Sequence, residues 1–217
     1  MPLVELGAPA HEVADMIGQR RAAPVDSRSG QTSALSFAPL AEAMQHRRSV
    51  REFVDRPIDA TALRTALHDG FRAEAALWTP RVHGHVEFVP LVAAFAVDGM
   101  PDGLHTVPPP DSHHLPAYLG RPEWLTELHA EYAAAPAIVM ICGDASAIEH
   151  GQGTGYGSLL MRAAGIGYAA WLSAINAGLA GAVFGGARYP VTTTVQQLDS
   201  GLRQLFTLVI GHEHEQA

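Results

Sequence analysis

Arg47-Arg-Ser-Val-Arg-Glu-Phe53 is a stretch in which three guanidinium groups and one hydroxyl stand close together in the chain. Arginine presents forked donors that match phosphate oxygens, and it stays charged when it is partly buried. The stretch is therefore typical of a segment that binds a phosphate group. The alternative is a solvated basic helix end, which the helix macrodipole would favour equally well.

A second stretch, Ala163 to Ala187, contains no charged side chain. It is long enough to cross a bilayer, but it is rich in Gly and Ala, contains Ser173 and Asn176, and has few large apolar residues. We therefore expect a long buried helix, Gly157 to Ala180, that packs closely through small residues, and no membrane span.

Composition bounds the remaining possibilities. A chain of 217 residues with 47% apolar and 17% charged residues suffices for one compact domain with a full core. The net charge of −8, without an extended basic face, argues against a nucleic-acid partner. All 14 basic residues are arginines, which excludes Schiff-base and lysine-base chemistry. The segment Met1 to Ala10 lacks the pattern of a secretory signal, so we expect a cytoplasmic protein.

The pattern of elements predicts an α+β domain over residues 36–217, preceded by an arm or linker over residues 1–35. The only cysteine, Cys142, falls in a run that predicts a central buried strand. The other predicted elements are a helix capped by Asp59 or Thr61 and ending near Asp69, a hairpin of Val86–Val97 with Leu104–Val107, a loop over Pro108–Pro122, a helix over Trp124–Ala134 and a last strand over Leu205–Gly211.

The arginine stretch, followed by Pro57 and a Leu-containing helix, resembles the opening motif of the nitroreductase superfamily of flavoproteins. The segment Ala164 to Gly181 is similar to the long dimer-interface helix of that superfamily, with Gly178-Leu-Ala-Gly181 in place of its closing Gly-Leu-Gly turn. The stretches Val97-Asp-Gly-Met-Pro-Asp-Gly-Leu-His105 and Asp111-Ser-His-His-Leu115 resemble a block found in SagB-type peptide dehydrogenases. The resemblance covers residues 40 to 213.

This resemblance implies a nitroreductase-like α+β fold with a central mixed sheet flanked by helices. It also implies a homodimer and an FMN cofactor bound at the dimer interface. Carried over residue by residue, it assigns the FMN phosphate and ribityl chain to the arginine stretch and the flavin ring to the glycine-rich turn. The cofactor-binding residues that it implies are Arg47, Arg48, Ser49, Arg51, Gly178, Leu179, Gly181 and Gly185, with Arg188 as a late basic residue.

The sequence departs from the family pattern at the expected base. Azoline dehydrogenases of this type carry a Lys-Tyr pair before the long helix, where this chain has Gly155-Tyr156. The base that removes the proton would then be Tyr156 or a histidine of the segment Trp78 to His85. In the family, a stretch that contacts the flavin stands where this chain has that segment. We name Tyr156 and His83 as catalytic candidates, with His85 as the alternative to His83, because histidine titrates in the useful range.

The twelve histidines raise the question of a metal site. His83 and His85 are expected on one strand face, His113 and His114 are adjacent, and His212 and His214 are flanked by glutamates. None of these spacings gives a closed set of three or four ligands, so the sequence predicts no metal site.

These patterns favour an FMN-dependent dehydrogenase that oxidises thiazoline or oxazoline rings to azoles in a ribosomally made peptide. Its expected partners are a second copy of the chain, the peptide substrate and a cyclodehydratase. Two alternatives stay open, a general NAD(P)H-dependent nitroreductase and a flavin-free scaffold or partner protein with the same fold.

Overall fold

The computed structural model describes residues 42–45, 47–109, 112–146 and 155–214. The arm expected over residues 1–35 lies outside the described residues. Residues 42–45 are helical. Five further helices are α1 Ala60–Leu77, α2 Pro80–His83, α3 Trp124–Glu131, α4 Tyr156–Asn176 and α5 Tyr189–Val195. The strands are β1 Ile58–Asp59, β2 Phe88–Ala94, β3 Val97–Asp98, β4 Gly103–Thr106, β5 Ala117–Gly120, β6 Ala137–Asp144, β7 Ala180–Phe184 and β8 Leu202–Gly211.

Six of the strands form one sheet in the order β5-β4-β2-β6-β8-β7. All five pairings are antiparallel, whereas the sequence analysis expects a mixed sheet. Parallel pairing among the described residues is confined to β1 with β3 and to a single bridge between Ser49 and Gly181. The predicted hairpin is confirmed as β2 and β4, and β6 is central as predicted.

Helices cover both faces of this sheet, and β6 shows how the chain divides its core between them. Val139 and Ile141 point into the cluster formed with α1 and α4. Ile138 and Met140 point into the opposite cluster, formed with α3 and α5. Both faces of the strand are buried because successive side chains alternate across it, which explains its unbroken apolar sequence.

Helix α4 is the long apolar helix that the sequence predicts, with different bounds. It ends at Asn176, because Gly178 takes a positive φ of 77° and Ala180 starts β7. Among the described residues it is the one helix long and apolar enough to cross a membrane. Half of that apolar window is buried inside the protein, as in the core helix of a soluble fold.

The other differences from the sequence analysis lie at element ends and in short elements. Helix α1 continues well beyond the predicted end at Asp69, because Gly70 packs against α4 and does not end the helix. Strand β5 lies in the expected loop Pro108–Pro122, as a short edge strand beside β4. Helices α2 and α5 were also missed, since such short helices give too little periodicity to detect.

Candidate functional site

The arginine stretch lies against β7. Ser49 forms a parallel bridge with Gly181, and the Val50 amide donates a hydrogen bond of 2.9 Å to the Gly181 carbonyl oxygen. A few residues later, the Val54 amide donates to the carbonyl of His212, just after β8. The structure therefore brings the arginine stretch to the glycine-rich turn, although the two lie far apart in the sequence.

The guanidinium groups of this stretch reach different neighbours. The Arg47 guanidinium lies 5.1 Å from the ring centroid of Trp171, and that of Arg51 lies 5.5 Å from the Phe184 ring. Arg48 donates to a Glu213 carboxylate oxygen at 2.5 Å. The Arg48 side chain is 52% exposed, so this ion pair contributes at most about 1 kcal/mol. A phosphate dianion can compete for the same donors.

The glycines of the turn and of β7 differ in what surrounds them. Around Gly178 and Gly185, an added Cβ would meet no atom within 4 Å, so the backbone is open to a ligand there. At Gly181 an added Cβ would lie 2.3 Å from the Val209 carbonyl oxygen. Gly181 is thus required by the packing of the chain itself. Leu179 is buried in the core, and its amide donates to the Ala174 carbonyl oxygen at 3.0 Å.

Arg188 has partners of its own in other elements. It caps α5, where its amide donates to the Gln204 side-chain oxygen at 2.6 Å. Its guanidinium forms an ion pair with Glu131 at the end of α3. In this structure Arg188 therefore joins α5 to α3 and β8, and a role beside the flavin phosphate would require it to leave Glu131.

The residues around β7 fit the phosphate end of an FMN molecule. The backbone of the arginine stretch is bridged to Gly181, three residues after the open backbone at Gly178. The indole Nε1 of Trp171 is buried beside Gly181 and has no hydrogen-bond partner among the described residues. Buried donors normally have partners, so this N–H is available to an acceptor that the chain does not supply.

The two catalytic candidates lie near the other end of α4. Tyr156 is its first residue and is 57% exposed. Along the helix axis, Tyr156 is about 22 Å from Trp171, the residue that Arg47 contacts. Arg162, less than two turns further along the helix, is buried and donates to Glu74 at 2.6 Å, so it is not available to assist a base at Tyr156.

His83 lies near the ion pair of Arg162 with Glu74. It ends α2, and its ring packs edge-on against Trp78 with 5.0 Å between centroids. The next residue, Gly84, has a positive φ of 74° and accepts a 3.3 Å hydrogen bond from Arg162. The expectation that His83 and His85 share a strand face is therefore wrong, because a helix end and a turn separate them.

A cavity of about 430 Å³ opens beside these residues. Its lining includes Trp78, His85, Glu87, His113 and Arg162. A second cavity, of about 480 Å³, lies over β4 and includes Arg64, His105 and Tyr118 in its lining. The described residues that line the two cavities do not include the arginine stretch. The described chain thus has two separate chemical regions, a basic one at β7 and a histidine-containing cavity near the start of α4.

Solved structures of other proteins resemble most of this chain. A nitroreductase from Anabaena variabilis superposes with a TM-score of 0.64 at 19% identity over 81% of this chain, which spans 38% of that longer protein. For a nitroreductase from Ralstonia eutropha the TM-score is 0.62 at 18% identity, with 87% and 88% of the two chains covered. A nitroreductase family protein from Clostridium difficile gives 0.51 at 16% identity, over 84% and 87%.

The chain has the nitroreductase fold. The fold expected from the two sequence motifs is confirmed. No family profile and no curated protein matches the sequence. At identities this low, the similarity shows a shared fold and does not show a shared reaction.

Within this nitroreductase fold, sequence reasoning missed Glu87. It lies directly before β2 and contacts His113 and His114, which belong to a loop much later in the chain. The adjacent histidines were noticed, but nothing in the sequence pattern indicates that a carboxylate lies beside them. The antiparallel pairing of β2 with its neighbours is what positions it.

Proposed function

We propose that this chain is an FMN-dependent oxidoreductase that dehydrogenates azoline rings in a ribosomally made peptide. The observation that carries the flavin assignment is the bridge between Ser49 and Gly181, which joins the backbone of the arginine stretch to the glycine-rich segment in a nitroreductase fold. The SagB-like stretches Val97 to His105 and Asp111 to Leu115 support the peptide substrate.

Bound FMN would supply the two-electron oxidation of the azoline ring, with oxygen as the final oxidant. The chain supplies the rest. Arg47, Arg48 and Arg51 bind the phosphate, and the backbone between Gly178 and Gly185 lies along the flavin ring. A proton must leave the other ring carbon, so a base is needed, and Tyr156 and His83 are the candidates.

The distance between these groups supports a site formed by two chains. Tyr156 and the arginine stretch of one chain lie near opposite ends of α4, too far apart to act on one ring. In a twofold dimer, residue i of one protomer contacts residue j of the other, and j contacts i. One protomer's base can therefore approach the flavin of the other protomer. We therefore propose a homodimer in which each active site takes residues from both chains.

Flavin binding is tested first. The purified protein should show flavin absorbance, or gain it when FMN is added, and Arg48→Ala should weaken FMN binding about tenfold or more through the lost charge-assisted bonds. Arg203→Ala is the matched control, since that arginine bonds carbonyls of its own turn at the opposite end of β8. Unchanged FMN affinity with alanine at all three positions would remove the phosphate assignment.

The base and the dimeric site are tested together with a thiazoline peptide. Turnover is measured for Tyr156→Phe and for His83→Ala, and full activity in either variant removes that residue from the mechanism. The inactive variant is then mixed with Arg48→Ala. A site shared between chains regains activity, because each mixed dimer keeps one intact site, whereas a site within one chain does not.

A general nitroreductase is the second candidate, favoured by the description of the Anabaena and Ralstonia proteins as nitroreductases. NAD(P)H-driven reduction of a nitroaromatic by the flavin-loaded protein, with no azoline turnover, would establish it. A protein that binds no FMN under any condition would instead be the scaffold or partner protein, which the chain's lack of lysine favours.

A further inference from the structure

Three ligand-bearing side chains meet beside the cavity near the start of α4. The ring nitrogens of His113 and His114 and the carboxylate oxygens of Glu87 all lie within 4.8 Å of one another. His113 Nδ1 is 2.7 Å from Glu87 Oε2, and His114 Nε2 is 3.7 Å from Glu87 Oε1. The two imidazole rings lie 4.3 Å apart at 32°, so both adjacent histidines turn toward the same carboxylate.

Burial makes this cluster unlike an ordinary surface ion pair. The Glu87 and His114 side chains are only 15% and 16% exposed, while His113 is 69% exposed at the mouth of the site. His114 Nε2 is fully buried without a hydrogen-bond partner among the described residues. A hydrogen bond from His113 Nδ1 to Glu87 Oε2 explains their short contact. It leaves the His114 nitrogen unsatisfied, which proteins avoid.

The spacing suits a metal ion. Zinc binds imidazole nitrogen and carboxylate oxygen at about 2.0 to 2.2 Å, so two ligand atoms on a tetrahedral ion lie about 3.4 Å apart. The two observed nitrogen–oxygen distances, 2.7 Å and 3.7 Å, lie on either side of that value. Small side-chain rotations would place all three ligand atoms around one ion.

The surroundings hold the set in place. Ser112 Oγ donates to Glu87 Oε1 at 2.7 Å, the outer-shell hydrogen bond that orients a ligating carboxylate. The Thr106 hydroxyl on β4 holds the loop that carries the two histidines. It donates to the Leu115 carbonyl and accepts from the Ala117 amide. Glu87 itself is anchored at the start of β2, where its carbonyl accepts from the Asp144 amide at 2.9 Å.

We propose that Glu87, His113 and His114 bind a divalent ion of the zinc class, with the cavity side of the ion left open. Two histidines and one glutamate with an open fourth position form the ligand set of catalytic zinc sites. Glu87 and His113 both line the cavity, so a water molecule or a substrate atom can reach the ion from it. This site is separate from the basic region at β7 and does not depend on flavin binding.

The test is Zn²⁺ binding by the full-length protein, measured by calorimetry and by metal content after dialysis. We expect one tight site in the wild type, and a loss of more than about 100-fold in affinity for Glu87→Gln and for His114→Ala, because each removes a ligand. Ser112→Ala should cost about tenfold, as an outer-shell contact does.

His68→Ala is the matched control, because His68 lines the same cavity without belonging to the set. Its zinc affinity should equal that of the wild type. Circular dichroism of every variant establishes that it is folded, and Co²⁺ substitution should give the visible spectrum of a tetrahedral site. Equal zinc affinity in the wild type and in folded Glu87→Gln and His114→Ala would overturn the proposal, since the ion would then sit on other histidines.

Discussion

Single residues carry the most direct tests of the structure, and Cys142 is the simplest of them. It lies fully buried in β6, and burial raises the pKa of its thiol well above the ordinary value. Because the thiolate is the reactive form, we expect no reaction of the folded protein with a thiol reagent and one equivalent after denaturation. Rapid labelling of the native protein would contradict the placement of β6.

The N-cap of α1 links one carboxylate to the pH dependence of stability. Asp59 accepts a hydrogen bond from the Thr61 amide, which lowers the pKa of the carboxyl below 3.8. A carboxyl with a lowered pKa in the fold stabilises above its unfolded pKa, and this contribution is lost as the pH falls through the folded value.

We therefore expect Asp59→Ala to lower the Tm at neutral pH and to differ less from the wild type well below pH 3.8. Asp59→Asn, which keeps an acceptor, should fall between the two at neutral pH. Thermal unfolding followed by circular dichroism measures this. Equal Tm values for the wild type and Asp59→Ala at neutral pH would show that the cap does not stabilise α1.

At the scale of elements, the contact between α1 and α4 depends on the absence of a side chain at Gly70. An added Cβ would lie 2.5 Å from the Ile166 carbonyl oxygen and 3.3 Å from the Ala170 Cβ. Replacing glycine by alanine inside a helix normally gains up to about 1 kcal/mol. Here we expect Gly70→Ala to cost about 1 to 3 kcal/mol, as overpacking does.

Position 65, exposed on the same helix, provides the control. Thr65→Ala should be more stable than Thr65→Gly by about 1 kcal/mol, the ordinary order of helix propensity. At position 70 the order of alanine and glycine should be reversed, as measured by urea unfolding. The same order at both positions would mean that the helices do not approach as closely as described.

At the scale of the whole molecule, the outer face of α4 is the surface that we expect to pair in a homodimer. Gly157, Met161 and Gly165 recur at helical spacing along it and are exposed, with Met161 at 65%. Light scattering at micromolar concentration should give a dimer. Met161→Glu should weaken it, whereas Leu198→Glu, a change at an exposed leucine elsewhere, should not.

Ala170 and Ala174, on the same helix, are fully buried inside the chain and do not belong to this exposed face. An arginine at either position would place an unpaired charge in the core, so Ala170→Arg should give insoluble protein rather than a folded monomer. A wild-type monomer by light scattering would contradict the dimer and, with it, the proposed shared active site.

Local chemistry let the sequence determine several features. The apolar run around Cys142 indicated a central strand, which the structure confirms. The phosphate-binding role of Arg47, Arg48 and Arg51 stays a prediction. Asp59 was one of the two N-caps predicted, the other being Thr61, because that preference depends on a few neighbouring residues. The two motifs at Arg47 to Phe53 and Ala164 to Gly181 also indicated the fold that the solved structures confirm.

Only the tertiary structure decided which distant residues meet. Glu87 lies beside His113 and His114 because β4 returns antiparallel to β2 and brings the loop after it back to the start of β2, and sequence periodicity does not record such a contact. The sequence also did not predict where α4 ends and β7 begins. A Gly/Ala-rich stretch has too little alternation of apolar and polar residues to distinguish a helix from a strand. The distance between Tyr156 and the arginine stretch follows from the length of α4, and that length is set by packing against α1 and the sheet rather than by local propensity.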